Sequence, residues 1–438
     1  MEQTKYPEAF LNTMRSKLGD EFEAFVQSLN GSSPTSIRLN PAKSISKFNS
    51  EEQVPWCLNG RYLAERPSFT FDPLFHAGTY YVQEASSMFI EQVWKQINPN
   101  NRAVRVLDMC AAPGGKSTHL VSLMSADSYL VSNEIISNRN NILQQNITKW
   151  GSANCIITQN KTENFTQLGN LFDIILIDAP CSGEGLFRKD KEAVNEWSES
   201  NVALCATRQQ DILQHALACL NPGGFIIYST CTFEDAENDA QVAASGMQVV
   251  DLHLPDYGQV KTKYGYQFYP HKIKGEGFYM AVLQKEGEGH EMKAESTLSK
   301  PQSSAVLNEY LIEADKFTAY TKNDMLFAIP TAMLRDFRFL SSQLYVRHAG
   351  IFIGATKGKD FLPSHDLALS NFVNAGLPSI ELSYEDAITY LRCEVPKVKP
   401  ELRGWCLAKF ENHNLGWMKA LENRINNYFP KELRILKR

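Results

Sequence analysis

The sequence predicts an α/β protein built on a doubly wound, mostly parallel sheet. From Val104 to Gln284, short apolar runs alternate with amphipathic stretches, strand then helix. The first of these strands runs through Val104, Val106 and Leu107 into Asp108-Met109-Cys110-Ala111-Ala112-Pro113-Gly114-Gly115-Lys116-Ser117. Periodicity breaks there, then resumes as a helix at His119 and Leu120. A strand, a glycine-rich turn and a helix form the geometry that receives a nucleotide. Gly114 and Gly115 can take positive φ and admit a ligand close to the backbone.

Taken in order, the chain opens with helical spacing of Phe10, Met14, Leu18, Phe22, Phe25 and Val26, which predicts one or two helices over Tyr6–Leu29. Gly31–Phe48 holds Arg38, Lys43 and Lys47 and no acid, and reads equally as a solvated loop or an RNA-phosphate contact. Phe69–Gln83 is rich in aromatic residues, suited to a core or to the floor of a base pocket, and leads into a helix at Glu84–Trp94. Strands are expected at Val104–Met109, Tyr129–Asn133, Cys155–Thr158, Asp173–Ile177 and Gly224–Tyr228, with helices at Lys116–Met124, Ile136–Trp150 and Val202–Leu220. Met247–Leu252 and Phe278–Gln284 add a hairpin-like edge, giving a seven-stranded sheet. That count fits a class I methyltransferase better than a dehydrogenase.

Lys285–Ser304 is polar and almost without apolar residues, so it reads as a linker. The expected divisions are therefore an N-terminal RNA-recognition region over 1–95, the doubly wound domain over 96–285, the linker over 286–304, a small mixed domain over 305–390 with a strand pair around Leu344 and Ile351, and a compact basic β-barrel over 391–438.

With 438 residues, of which 43% are hydrophobic, the chain has ample material for several cores. Its net charge of -5 argues against a uniformly basic nucleic-acid coat, but the average conceals a basic tail. Leu391–Arg438 carries 11 Lys plus Arg against 5 Glu. No segment has the apolar length of a membrane span, and Met1–Asp20 lacks a signal-peptide core, so a cytoplasmic location and no membrane partner are expected. Nine cysteines without C-x-x-C or zinc spacing should be free thiols, and no metal site is expected.

The loop itself matches named nucleotide motifs only in part. A Walker loop needs glycine where Cys110 stands, and the G-x-G-x-x-G spacing is absent, which suits a cofactor with an adenosine but no pyrophosphate. Three further stretches fall at carboxyl ends of strands, where ligands bind in such sheets. Glu134, 26 residues after Asp108, can accept both ribose hydroxyls. Asp178 and Cys181 leave the fourth strand with Pro180 between them, and Cys231 stands just past the fifth.

Two thiols beside a cofactor loop are what pyrimidine carbon-5 methylation needs. That carbon gains nucleophilicity only when a thiolate adds to carbon 6. A base must later remove the carbon-5 proton, and a hydrogen-bond donor is needed at ring nitrogen 3. Asp178 is placed for that contact if its carboxyl is protonated or shares a proton. A stacked base would have to be flipped out to reach either thiol. A P-loop ATPase rests on GGKS alone and gives Cys231 no work.

CAAPGGKS, DAPCSGEG and STCT, in this order, resemble the bacterial Sun/RsmF-type RNA (cytosine-5)-methyltransferases. The similarity continues through YYVQEASSM, PHKIKGEGF and the tail GWMKALENRINNYFPKELR, so it spans nearly the whole chain and favours the RsmF-like branch. The resemblance implies a class I Rossmann-like methyltransferase with a PUA-like RNA-binding tail. It implies S-adenosylmethionine as cofactor, ribosomal RNA or the ribosomal subunit as partner, and a monomer. Residue by residue, it implies Cys231 as nucleophile, Cys181 assisting product release, Asp178 at the target base and near the donor's methionine end, and Lys116 near the base or the carboxylate. It places Cys110, Ala111, Ala112, Pro113, Gly114 and Gly115 around the cofactor, Glu134 on its ribose, and a weaker role on Arg139.

Relatives carry an Asp after the third strand for the adenine amine, whereas this chain has Lys161, which cannot accept that bond. Asn160 could, through its side-chain oxygen. That departure leaves room for a non-catalytic RNA-binding or ribosome-assembly factor, and the motifs do not separate ribosomal from transfer RNA as substrate.

Overall fold

The computed structural model describes residues 5–288, 305–358, 360–398 and 402–437. Most of the expected linker, 289–304, lies outside the described residues. The centre is a ten-stranded sheet. It is entered by β1 (Arg105–Asp108), α1 (Gly115–Leu123), β2 (Tyr129–Asn133), α2 (Ser137–Trp150), β3 (Cys155–Thr158), β4 (Phe172–Asp178), α3 (Glu199–Cys219) and β5 (Leu220–Thr230).

These five strands are parallel in the order β5-β4-β1-β2-β3. The chain leaves β1 toward β2 on one side and returns to β4 on the other. A crevice therefore opens at the carboxyl ends of β1 and β4, the switch point where such sheets bind ligands. Side chains alternate between two cores, Val106, Ile174 and Leu176 in one and Leu107, Ile175 and Ile177 in the other. All three in each set are buried, which is why the strands read as continuous apolar runs.

The remaining strands are β6 (Gln248–Val249), β7 (Val260–Lys261), β8 (Tyr266–Phe268), β9 (Phe278–Gln284) and β10 (Val346–Ala349). β6 does pair with β9 antiparallel, as the hairpin-like edge expected. β9 is also flanked by β5 and β8, however, and β7 extends that edge, while β10 joins the opposite edge antiparallel to β3. The seven strands expected are thus ten. β7 and β8 are too short to show a period of two, and β10 arrives from beyond the linker.

β10 also corrects the strand pair expected around Leu344 and Ile351. Ile351–Lys357 pairs instead with Met325–Pro330 and Asp360–Pro363 in a separate four-stranded sheet. The basic tail forms another four-stranded sheet, Ser379–Glu381, Gly404–Phe410, His413–Ala420 and Ile425–Asn427. Its first strand lies before residue 391, and so does the start of the helix Tyr384–Leu391 with buried Ala387, Ile388 and Leu391.

Two N-terminal helices form where spacing placed them, Glu8–Leu18 and Phe22–Leu29. Their Phe10 and Phe25 pack on Phe187 and Phe233, so they brace the loops after β4 and β5. Arg38 is not an RNA-phosphate contact. It is 1% exposed, donates to Gln83 Oε1 at 2.8 Å and Thr118 Oγ1 at 2.6 Å, and lies over the Trp150 ring. Lys43 donates to the carbonyls of Ala77 and Lys149, and Lys47 pairs with Asp72.

Candidate active site

A cleft of about 700 Å³ opens at the switch point. Cys110 and Ala112 reach it from the loop after β1, Glu134 from β2, Asn160 from β3, Asp178 and Cys181 from β4, and Cys231 from β5. Ala111, Pro113, Gly114, Gly115 and Lys116 are not in its lining. Gly114 takes φ 107° and caps α1, as a turn there requires, but Gly115 does not take positive φ and starts the helix. A Cβ on Gly114 would stand 3.1 Å from Leu143 Cδ1, and one on Gly115 3.2 Å from Tyr81 Cε1. Close approach at both positions is therefore made by the protein's own side chains.

The two thiols meet. Cys181 Sγ is 3.1 Å from Cys231 Sγ and accepts from the Cys231 backbone N–H at 3.3 Å. All nine cysteines are free. The hydrogen bond that the Cys181 thiol gives to the Cys231 sulfur, together with burial, drives Cys181 well above its ordinary range and outweighs the Cys231 backbone N–H, so Cys181 holds its proton.

Asp178 does not stand alone. Lys116 Nζ is 2.8 Å from its Oδ2, and Ser229 Oγ donates to Oδ1 at 2.9 Å. Burial works against the Lys116 ammonium, but the Asp178 carboxylate outweighs it and raises the lysine above its usual value. Asp108 lies beneath, fully buried. Its Oδ2 accepts from Ser117 Oγ at 2.6 Å, its Oδ1 has no hydrogen-bond partner among the described residues, and burial pushes its carboxyl up to about 7.

At the opposite end of the cleft, Glu134 Oε1 accepts the Ile136 N–H at 2.8 Å and Oε2 pairs with Arg139 at 3.0 Å, leaving lone pairs for a diol. Arg139 also donates to the Ala112 carbonyl at 3.0 Å, tying α2 to the loop. Asn160 lines the cleft, yet its side-chain oxygen accepts the Tyr345 N–H at 3.0 Å and its amide donates to the Tyr345 carbonyl at 3.1 Å. Both bonds come from the residue just before β10. Lys161 points to Glu163 at 3.3 Å.

Sequence reasoning missed the support under the thiols. Glu237 accepts from the Ser182 N–H at 3.1 Å and from Gln209 at 2.7 Å, and Gln209 also holds the Pro180 carbonyl at 2.9 Å. Ser182 Oγ contacts both Glu237 and Glu184. One hydroxyl carries one proton, so both contacts are hydrogen bonds only if a carboxyl is protonated. Burial, with Glu184 nearby, pushes Glu237 up to about 7. The signal lay in the stretches holding Cys181 and Cys231, where Glu184 and Glu237 are buried instead of solvated. Arg208, Asp211 and His215 of α3 also line the cleft, but one face of a long helix gives no motif to read.

The structure also gathers Cys57, Glu91 and His119, all buried, with donor atoms within 4.8 Å of one another, a set that sequence spacing did not reveal. The Glu91 carboxylate there is engaged by Lys95 at 2.9 Å, the Leu58 N–H and His119 Nε2 at 3.4 Å.

A family model described as 16S rRNA methyltransferase RsmB/F matches residues 95–284. Others described as the N-terminal domain of 16S rRNA methyltransferase RsmF and the methyltransferase RsmF PUA domain match 6–85 and 377–435. The chain is 30% identical to ribosomal RNA small subunit methyltransferase F of Psychromonas ingrahamii, over 98% of each chain. It is 29% identical to the protein of that name from Salmonella newport, over 98% of this chain and 96% of that one. Among solved structures, a methyltransferase homolog protein from Pyrococcus horikoshii aligns with TM-score 0.56 and 27% identity over 64% of this chain and 96% of its own. NSun6 from Pyrococcus horikoshii with SFG shares the fold, with TM-score 0.55 and 19% identity over 66% of this chain and all of its own.

Proposed function

The chain belongs to the RsmB/F family of 16S rRNA methyltransferases, S-adenosylmethionine-dependent enzymes, and from that premise we infer that it forms 5-methylcytosine in small-subunit ribosomal RNA. The observation that carries the carbon-5 specificity is the pair of thiols 3.1 Å apart beside the Lys116–Asp178 ion pair at one crevice. N-methylation would need neither thiol.

The residues fit the cofactor. The cleft is large enough, Glu134 offers acceptors for a ribose, and apolar Ile135 and Ile136 stand 49% and 51% exposed along its lining. When bound, S-adenosylmethionine supplies an electrophilic methyl group on a sulfonium. The Cys231 thiolate forms a bond to carbon 6 of a flipped cytosine, and the electrons of the 5,6 double bond move onto the ring. Lys116, held as an ammonium by Asp178, supplies the proton that this pair shares with nitrogen 3. Bonding of Cys231 Sγ to carbon 6 removes the sulfur charge and hydrogen bond that held the Cys181 proton, so Cys181 releases that proton to solvent and then takes the proton from methylated carbon 5. The electrons of that carbon–hydrogen bond restore the double bond as the Cys231 thiolate leaves, and nitrogen 3 returns its proton to the Lys116–Asp178 pair.

The test is the covalent state of the enzyme on its RNA. Cys181→Ala should accumulate a denaturant-stable protein–RNA adduct, Cys231→Ala should form neither adduct nor product, and bisulfite mapping should find the wild-type product at one cytosine of the small-subunit RNA. Methylation by Cys231→Ala would overturn the mechanism. An absence of S-adenosylmethionine binding by calorimetry would favour an assembly factor that keeps only the fold.

A further inference from the structure

A second cleft, about 720 Å³, lies between α2, the short helix Pro73–His76 and the C-terminal units. α2 belongs to a stretch, 135–162, that contains Arg139, Lys149 and Lys161 and no Asp or Glu. Toward this cleft it presents an uncharged amide face with one cation at its end. Gln144 and Gln145 line the cleft, and neither side chain has a hydrogen-bond partner among the described residues. Lys149 has no carboxylate partner among the described residues, and its Nζ lies 3.8 Å from the Phe75 ring centroid. Burial pulls its pKa down to about 8, the mark of a cation without a counter-ion. The opposite wall supplies rings, with His365 edge-on to Phe429 at 5.3 Å. Of the two acids at the cleft, Asp366 faces His348 at 3.7 Å and Glu432 stands on the far wall.

We propose that this cleft holds an unpaired nucleotide of the substrate RNA, its phosphate beside Lys149, its base against the aromatic wall, and the amides of Gln144 and Gln145 at the base edge. The proposal rests on the reading that the chain acts on RNA. Amide side chains pair with base edges, aromatic rings stack on any base, and a lone ammonium suits a phosphate. A protein segment without an acidic residue would leave Lys149 without its anion, and an acidic one would leave the unbonded amides and the rings without a base to receive. Continuity favours the same occupant. α2 touches the first cleft at Arg139, on its Glu134 side, and the second at Lys149, about 15 Å apart at 1.5 Å per residue, so RNA engaged at the first cleft comes within a few nucleotides of the second. The aromatic run near Phe75, read from sequence as either core or base floor, would then serve as part of that floor.

The experiment measures binding of a labelled single-stranded oligonucleotide, cut from the RNA around the mapped cytosine, to the full chain by fluorescence anisotropy. Lys149→Glu and the double variant Gln144→Ala/Gln145→Ala should each weaken binding by about tenfold, while S-adenosylmethionine affinity stays unchanged. A duplex of the same sequence should bind both variants as it binds the wild type. Because Gln145 is exposed and unbonded, the double variant should fold normally, and its melting temperature checks that. Unchanged single-strand affinity in both variants, or equal losses for single strand and duplex, would overturn the proposal. The readout needs no methyl transfer, so a failure of the methylation reading would show separately, as wild-type protein that binds the oligonucleotide without modifying it.

Discussion

The two ends of the first cleft are built in opposite ways. At the thiol end the polar supports come from the doubly wound domain itself: Lys116 from α1, Asp178 at the end of β4 and Ser182 beyond it, Ser229 in β5 and Glu237 beyond it. At the end marked by Glu134 and Asn160, the wall is held from outside, because Asn160 is pinned by the backbone of Tyr345, 185 residues further along the chain. The groups of the proposed reaction are thus set by local sequence, and the wall at Glu134 and Asn160 by how a distant unit docks.

The sharpest way to break this contrast is at the thiol end. Cys231→Ala should cut turnover by roughly 10⁴-fold or more, with S-adenosylmethionine affinity unchanged, since removing a nucleophile takes away a whole pathway. Next in size, Lys116→Ala and Asp178→Asn should each lower kcat by about 10²-fold, and the double variant should lose little more than either alone because the pair acts as a unit. Steady-state kinetics on the RNA reads both.

The buried acids under Cys181 give a pH signature. Glu237 has its carboxyl raised from 4.5 to about 7, chiefly by burial, and Asp108 is raised to about 7 in the same way. A group whose pKa is higher folded than unfolded stabilises fully below its unfolded value and loses that contribution as pH rises through its folded value. Melting temperature should therefore fall between about pH 5 and pH 8. Glu237→Gln, neutral throughout, should flatten the slope by on the order of 2 kcal/mol of pH-dependent stability, leaving the shares from Asp108 and from Glu234, whose carboxyl burial also raises to about 7.

The smallest effect belongs to the other end. Asn160→Ala removes two bonds to a backbone, so S-adenosylmethionine should bind up to about tenfold more weakly by calorimetry, with kcat nearly unchanged. Tyr345→Ala keeps both backbone bonds and should bind the cofactor normally. Equal losses in the two variants would mean that the tyrosine ring, not the strand, forms the wall.

What could be read from the sequence follows the same division. The strands from β1 to β5 and the pairing of β6 with β9 were legible because each is an apolar run bounded by turn residues. Asp178, Cys181 and Cys231 could be placed because residues at carboxyl ends of parallel strands converge whatever the rest of the chain does. Arg38 was misread because nothing in a basic, turn-rich stretch reveals that its guanidinium is enclosed by Gln83, Thr118 and Trp150. The role of Asn160 was half legible. Its position beside the cleft follows from β3, but its occupation by Tyr345 depends on a pairing between segments that no local pattern links.

β10 carries one more consequence. A parallel domain that stopped at the linker would leave the outer row of N–H and C=O groups on β3 open, along Ile156, Ile157 and Thr158, where β10 now pairs. Such an edge is a template for any other extended chain. Trimming the protein to its apparent catalytic core should therefore yield an adhesive one that aggregates, because the C-terminal unit also serves as the selvedge that keeps the sheet from unravelling into its neighbours.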